Sequence, residues 1–274
     1  MAGKMGLTDT HCHSLRSPDA RDSVRAMCEA AGRLGLAAIC MTDHYDIGIT
    51  GDEKWQNITS VAASYDDVQV EIGRHGGLRV LAGVEVGQYV YDPQKGAAVI
   101  AVRDFDFVLG SLHGLSDQTD FYWVDYKKRD PQPIYEKYLE ELIVTAREAD
   151  FDSLAHLTYP LRYMIGRDGA RVDQSGLRSR YDDIFRALIS RGKALEINTS
   201  GFRMDGGFLL PDEHLLRRFR ELGGEYVTLG SDAHNTDQLG ADLTQGLEAA
   251  LRAGFSELSL YVKRKREGLP VSSL

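Results

Sequence analysis

Thr8-Asp9-Thr10-His11-Cys12-His13 is the stretch on which the fold of this chain turns. In a β-strand, the two-residue period places Asp9, His11 and His13 on one face and Cys12 on the other. Neutral imidazoles are common ligands of divalent transition metals, and two on one strand supply half of a tetrahedral shell. In a chain with eight histidines, one His-x-His is weak evidence by itself. Its weight comes from the sequence downstream, where short apolar runs end repeatedly in His, Asp or Glu.

Residues 36–41 form a continuous apolar run of the kind that suits a parallel strand covered on both sides, and they pass directly into Thr42-Asp43-His44. The run 79–86 carries Glu85 near its end, 105–112 delivers His113, and 152–155 is followed by His156. Two further strands are predicted at 194–198 and at 226–229, the second ending in Gly230-Ser231-Asp232-Ala233-His234. Helical spacing fills the intervals. Asp22 or Ser23 can cap a helix whose Val24, Met27, Cys28, Ala31 and Leu34 repeat at three and four residues, with Gly35 ending it. Further helices are predicted at 58–74, at 134–149, where the amphipathic stripe is clearest, at 181–191, and after Pro211, a residue tolerated in a first turn. Segments 46–57 and 162–178 read as polar loops, and 114–133 as a long aromatic and charged loop of the length that often carries function.

Seven strands alternating with helices predict a parallel sheet, and at this length a closed or nearly closed (β/α) barrel, spanning residues 1–274 as one domain. Strand ends of such a barrel share one face, so six of the eight histidines converge there; His75 and His214 read as surface residues. With 43% hydrophobic residues the chain can bury a sizeable core. Net charge is −9, and the 32 basic residues are dispersed rather than gathered into a patch, so no nucleic-acid partner is expected. Cys12, Cys28 and Cys40 form an odd set without finger-like spacing. No charged-then-apolar leader is present, and no apolar run approaches the roughly 20 residues that span a bilayer. A reduced, cytoplasmic protein without a membrane partner is the expectation. Oligomeric state is not readable.

In order and spacing, Asp-Thr-His11-Cys-His13, Thr-Asp43-His44, Gly-Val-Glu85, Gly-Ser-Leu-His113, His156 and Gly-Ser-Asp232-Ala-His234 resemble the polymerase-and-histidinol-phosphatase (PHP) superfamily over residues 7–255. Within it, the aromatic insert after His113, the segment from His156 through Arg162 and Tyr163, and Leu195-Glu-Ile-Asn-Thr-Ser-Gly-Phe-Arg203 resemble the monofunctional histidinol-phosphate phosphatases. The resemblance implies a distorted (β/α)7 barrel of the PHP type and two to three divalent ions (Zn, Fe or Mn) at its C-terminal face. It assigns His11, His13, Glu85 and Asp232 to one ion. Glu85 bridges to a second held by His113 and His156, and His44 and His234 hold a third. Asp19 stands where relatives often place a histidine, an exchange that hardens the site and favours iron, manganese or magnesium over zinc. Asp43 is expected to orient His44, and Cys12 to belong to the core.

Such a cluster suits hydrolysis of a phosphate monoester by a metal-activated water, with Asp232, His234 and Glu85 around it and no protein nucleophile. Arg162 and Arg203, on loops of the same face, are the expected phosphate contacts. Glu196 and Asn198, alternating with Leu195 and Ile197, are weaker candidates for touching substrate. The leading expectation is a small phosphorylated substrate, L-histidinol phosphate, hydrolysed to L-histidinol and phosphate in histidine biosynthesis. The alternatives are a PHP-type phosphoesterase acting on phosphotyrosine protein or a nucleotide, and a catalytically idle metal-binding domain, against which the complete ligand set argues.

Overall fold

The computed structural model describes residues 6–48, 53–117 and 119–273. In chain order the elements are β1 (Thr8–Cys12), α1 (Val24–Leu34), β2 (Ala38–Met41), β3 (His44–Asp46), α2 (Ile58–Glu71), β4 (Arg79–Gly87), α3 (Pro93–Ile100), β5 (Phe107–Ser111), α4 (Pro131–Glu148), β6 (Ser153–Leu154), α5 (Arg178–Ser190), β7 (Ala194–Asn198), α6 (Glu213–Glu221), β8 (Val227–Gly230), α7 (Leu243–Arg252), β9 (Glu257–Val262) and β10 (Lys265–Pro270). All seven predicted strands form, paired in parallel in the order β1-β2-β4-β5-β6-β7-β8. The path nearly closes on itself: Cys12 bridges Ala233 in parallel, the Asp232 N–H donates to the His11 carbonyl at 2.8 Å, and the His13 N–H donates to the Ala233 carbonyl at 2.8 Å. This is a distorted, nearly closed seven-stranded parallel barrel, as the resemblance implies.

Local chemistry accounts for the element ends. Ser23 rather than Asp22 caps α1, accepting the Ala26 N–H at 3.2 Å, and Gly35 stops it at φ 72°, where a glycine carries no Cβ penalty. Asp130 and Asp212 cap α4 and α6 through the N–H groups of Gln132 and Leu215, so the last of these helices begins two residues after Pro211. Several elements have no counterpart in the sequence reading. β3 runs from His44 to Asp46, the first residue of the predicted loop 46–57, of which residues 49–52 lie outside the described residues. The predicted loop after His156 opens as a π-helical turn over Arg162–Arg167. α3, α7 and the β9–β10 hairpin were likewise not anticipated.

The inward face of the barrel changes character along its length. Ala38, Cys40, Leu81, Phe107, Leu109 and Ala194 fill the N-terminal end, where Leu260 and Tyr261 of β9 pack against them as a plug. Two to four residues further along the same strands, with the same parity, stand Glu85, Ser111 and Glu196. The period of two thus carries each strand from apolar packing to ligand chemistry without turning its face. Cys12, facing the opposite way, is buried in the larger cluster between sheet and helices, and all three cysteines are free and buried. Among the described residues no helix is long and apolar enough to cross a membrane.

Candidate metal centre

Glu85, fully buried in β4, is where the site converges. Its Oε2 lies 2.9 Å from His44 Nδ1, 3.3 Å from His11 Nε2 and 3.6 Å from His13 Nε2. Its Oε1 lies 3.1 Å from His113 Nε2 and 3.0 Å from His156 Nε2. One carboxylate therefore meets five imidazoles, divided between its two oxygens. Asp232 Oδ1 adjoins the first set, 3.5 Å from His13 Nε2, 3.7 Å from His11 Nε2 and 3.6 Å from His234 Nδ1. Asp19 forms the outer corner, with Oδ2 3.1 Å from His234 Nε2 and Oδ1 3.9 Å from His44 Nε2. The nine ligand candidates, distant in sequence, share one mouth of the barrel.

The donor chemistry fits divalent ions. His11 Nδ1 is 2.6 Å from Glu196 Oε1, and His113 Nδ1 is 2.8 Å from Asp46 Oδ1. A carboxylate partner holds a proton at Nδ1, so that Nε2 is the atom left to bind an ion once its own proton is lost. Yet His11 Nε2 is 3.0 Å from His13 Nε2, and His113 Nε2 is 3.2 Å from His156 Nε2. Nitrogens packed this closely beside a carboxylate need either a shared proton or a cation between them, and a divalent ion meets that need. Among the described residues, three groups have donor atoms all within 4.8 Å of one another: His13, His44 and His234; His11, His13 and Glu85; and His44, Glu85 and His113.

The charges are strongly coupled. Burial lowers His44, but Glu85, Asp19 and Asp46 outweigh it and raise the ring to about 9. Burial is likewise overcome at His11 by Glu196, Glu85 and Asp232, and at His113 by Asp46 and Glu85, so both titrate above the ordinary histidine value. His13 goes the other way, because burial and the neighbouring His44 and His234 charges act together. Burial opposes ionisation of Glu85 and Asp232, yet the imidazoles around them hold both below the usual carboxylate range.

The backbone bends to reach this geometry. His156 and Asp232 sit at φ 48° and 54°, in a left-handed region that costs a non-glycine residue about 1–3 kcal/mol. Arg203 braces the second bend, its Nη1 and Nη2 donating to the carbonyls of Ser231 at 2.8 Å and Asp232 at 2.9 Å. Gly230 lets the strands close up, since a Cβ there would overlap His11 Cβ and Glu196 Oε1. Asp43 acts one step further out than expected. Its carboxylate accepts the Ser14 N–H at 2.7 Å and the hydroxyls of Ser14, Ser17 and Ser64, and Ser17 Oγ accepts the His44 N–H at 3.1 Å. It thus fixes the His44 backbone through Ser17 rather than the ring.

A cavity of about 660 Å³ opens onto the centre, lined by Asp19, His44, Asp46, His113, His156, Asp232 and His234 at its base and by Lys54, Trp55, Asp120, Tyr122, Trp123, Tyr159, Arg162 and Tyr163 around its walls. Arg162 Nη1 donates to Asp232 Oδ2 at 3.0 Å. Arg203 is not among the lining residues. Glu196 and Asn198, expected near substrate, are fully buried: Glu196 holds His11, and Asn198 Nδ2 donates to Glu196 Oε2 at 3.1 Å. Of the insert aromatics, Phe121 and Tyr126 are core, while Tyr122 and Trp123 face the cavity. His75 pairs with Glu71 at 2.8 Å, and His214 is exposed.

A model of the PHP domain matches residues 9–200. The chain belongs to the PHP domain family. Across nearly its full length, this PHP chain is 30% identical to the histidinol-phosphatase of Lactococcus lactis subsp. lactis, the alignment covering 94% of this chain and 95% of that one. It is 28% identical to a protein named probable histidinol-phosphatase from Clostridium acetobutylicum, over 88% and 92% of the two chains. The crystal structure of the L. lactis histidinol phosphate phosphatase, complexed with zinc, L-histidinol and phosphate, matches with a TM-score of 0.80 at 26% identity, over 96% of this chain and 99% of that one.

Two carboxylates that orient imidazoles escaped the sequence reading. Asp46 was assigned to a loop, although it lies two residues beyond His44 and shares its strand parity; Glu196 was assigned to substrate. In this PHP site Glu196→Gln is expected to weaken metal binding ten- to a hundredfold, the usual cost of losing a carboxylate behind a ligand imidazole. Competition with a chromogenic chelator measures it; unchanged affinity would leave Glu196 a packing residue.

Proposed function

We propose that residues 1–274 form one metal-dependent phosphoesterase domain that hydrolyses L-histidinol phosphate to L-histidinol and phosphate, a step of histidine biosynthesis. In this reading His11, His13, Asp19, His44, Glu85, His113, His156, Asp232 and His234 hold two to three divalent ions of zinc, iron or manganese. The observation that carries it is Glu85 standing between two sets of imidazoles, of which His44, His113 and His156 line the aromatic-walled cavity above it. Divalent ions at such a site neutralise charge on a transferring phosphoryl group and acidify water. The chain's own residues supply the rest. In this reading water is the attacking group: it adds to phosphorus, the ester P–O bond breaks, and the alcohol oxygen leaves with a proton given up by that water. Arg162 spends one nitrogen on Asp232 and keeps its remaining N–H donors for phosphoryl oxygens. Tyr159 and Tyr163 close the wall beside it and limit water there. Near-full-length similarity to a phosphatase crystallised with L-histidinol and phosphate supports the substrate.

Phosphate release from L-histidinol phosphate, a phosphotyrosine peptide and a nucleoside monophosphate, measured on metal-analysed protein, tests the proposal. L-Histidinol phosphate should be preferred by at least about a hundredfold in kcat/KM; a preference for either other ester would overturn the substrate.

Metal uptake should release protons. His11, His44 and His113 are protonated below their raised values, about 9 for His44, and must lose those protons to bind an ion, whereas His13 is already neutral and Glu85 already ionised. Affinity therefore falls as pH drops below about 9. At pH 7.5, adding zinc to chelator-treated protein in weak buffer with a pH indicator should liberate at least one proton per chain. Zinc binding without proton release would contradict this charge assignment.

A further inference from the structure

The outer wall of the cavity is not accounted for by ions or phosphate. Aromatic side chains dominate it, and one carboxylate, Asp120, stands among them. The other three lining carboxylates are engaged: Asp19 with His234, Asp46 with His113 and Asp232 with Arg162. Among the described residues no cationic side chain pairs with Asp120. Its Oδ1 accepts the Tyr122 N–H at 2.8 Å, and its Oδ2 accepts no hydrogen bond from the described residues. Burial holds this carboxyl above its ordinary value against the opposing pull of that N–H and of His113. A partly desolvated carboxylate without a counter-ion is costly, and a cationic ligand would offset the cost.

The position is built rather than incidental. Asp120 bridges Gly114 in antiparallel fashion, the Leu115 N–H donates to the Thr119 carbonyl at 2.8 Å, and Phe121 beside it is fully buried. Arg167, from the π-helical turn, donates to the carbonyls of Tyr122 and Val124 and clamps the far side of the loop. Tyr122 and Tyr163 meet edge to face at 5.6 Å, so the two segments form one wall. Trp123 nevertheless stays 77% exposed, a large apolar surface at the cavity mouth that a ligand ring would cover.

We propose that Asp120 and this aromatic wall form a subsite for a protonated amine, which selects phosphate monoesters carrying an ammonium group in the alcohol moiety. The ammonium pairs with Asp120 Oδ2, the ring lies against Tyr122 and Trp123, and the phosphate reaches Arg162 and the cavity floor. This rests on the phosphatase function above and adds to it the property by which the substrate is chosen.

Two measurements on metal-loaded enzyme separate the two ideas. Kinetics are run on L-histidinol phosphate and on 4-nitrophenyl phosphate, which has no amine. Calorimetry compares binding of L-histidinol with that of its des-amino analogue, 3-(imidazol-4-yl)propan-1-ol, and needs no turnover. Asp120→Asn should lower kcat/KM for L-histidinol phosphate about ten- to a hundredfold, chiefly through KM, and leave 4-nitrophenyl phosphate within about threefold. It should also erase the preference for L-histidinol over the des-amino alcohol, and Asp120→Glu, which retains the charge, should keep part of it. Equal losses on both esters, or unchanged kinetics on L-histidinol phosphate, overturn the subsite. A wild type that hydrolyses 4-nitrophenyl phosphate but not L-histidinol phosphate overturns the substrate. In that event the calorimetry still decides: wild-type binding that ignores the amine overturns the subsite as well.

Discussion

Glu85→Gln should bring metal content from the proposed two to three ions per chain to below one, and lower kcat/KM on L-histidinol phosphate by at least about a thousandfold. The substitution keeps the shape of a fully buried side chain and removes only its charge. That charge faces His44, His11 and His13 from one oxygen and His113 and His156 from the other. An amide offers one acceptor and one donor, and the donor would point at imidazole lone pairs. Both ligand sets therefore lose an anion, and one loses its acceptor. Ion-mediated charge stabilisation is worth several kcal/mol in a phosphoryl-transfer step, and each 1.36 kcal/mol is tenfold in rate, hence the size of the effect. Elemental analysis and kinetics on one preparation check it. A thermal melt adds a second readout, since bound ions stabilise wild type by mass action and should raise its Tm far more than that of the variant. A Glu85→Gln protein with full metal content and activity would show that the two imidazole sets are independent of the bridge.

The barrel and the convergence of the ligand candidates were legible in the sequence for one reason. Buried parallel strands are written as short apolar runs, and in this architecture whatever follows such a run faces the common mouth. His44, Glu85, His113, His156 and Asp232 could be placed that way without knowing any distance. The helpers were not legible, because their roles depend on cross-strand register. Glu196 is parity-matched to face the mouth, which made substrate contact a reasonable expectation; only the β7–β8–β1 alignment, with Gly230 leaving room beside the Glu196 carboxylate, reveals that His11 fills the space in front of it. Asp46 was hidden by a strand of three residues, too short for a periodic signal, and Gly87 makes room for it, since a Cβ there would overlap Asp46 Oδ1. The C-terminal hairpin has alternation, but nothing local says that it plugs the barrel.

The arginines show the same limit with a larger functional consequence. In sequence, Arg203 looked the better phosphate clamp, standing just past a strand after Thr199-Ser200-Gly201. In the structure, both of its Nη atoms are committed to the Ser231 and Asp232 carbonyls, and burial lowers its ionisation. Arg162 lines the cavity with one nitrogen on Asp232. Arg162→Ala is therefore expected to lower kcat/KM about a hundredfold while metal content holds, because a charge-assisted pair is worth about 1.5–3 kcal/mol and phosphoryl oxygens and Asp232 lose their guanidinium together. Arg162→Lys should recover only part, since an ammonium keeps the charge without the fork. Arg203→Ala should behave differently. Without its brace, Asp232 relaxes from φ 54° toward ordinary backbone, its carboxylate leaves the imidazoles, and metal affinity falls before any phosphate is bound. Chelator competition and steady-state kinetics on both alanine variants separate the roles. If Arg203→Ala keeps its metal and loses activity as Arg162→Ala does, Arg203 swings from the loop to the phosphate during turnover, and the brace is not its function.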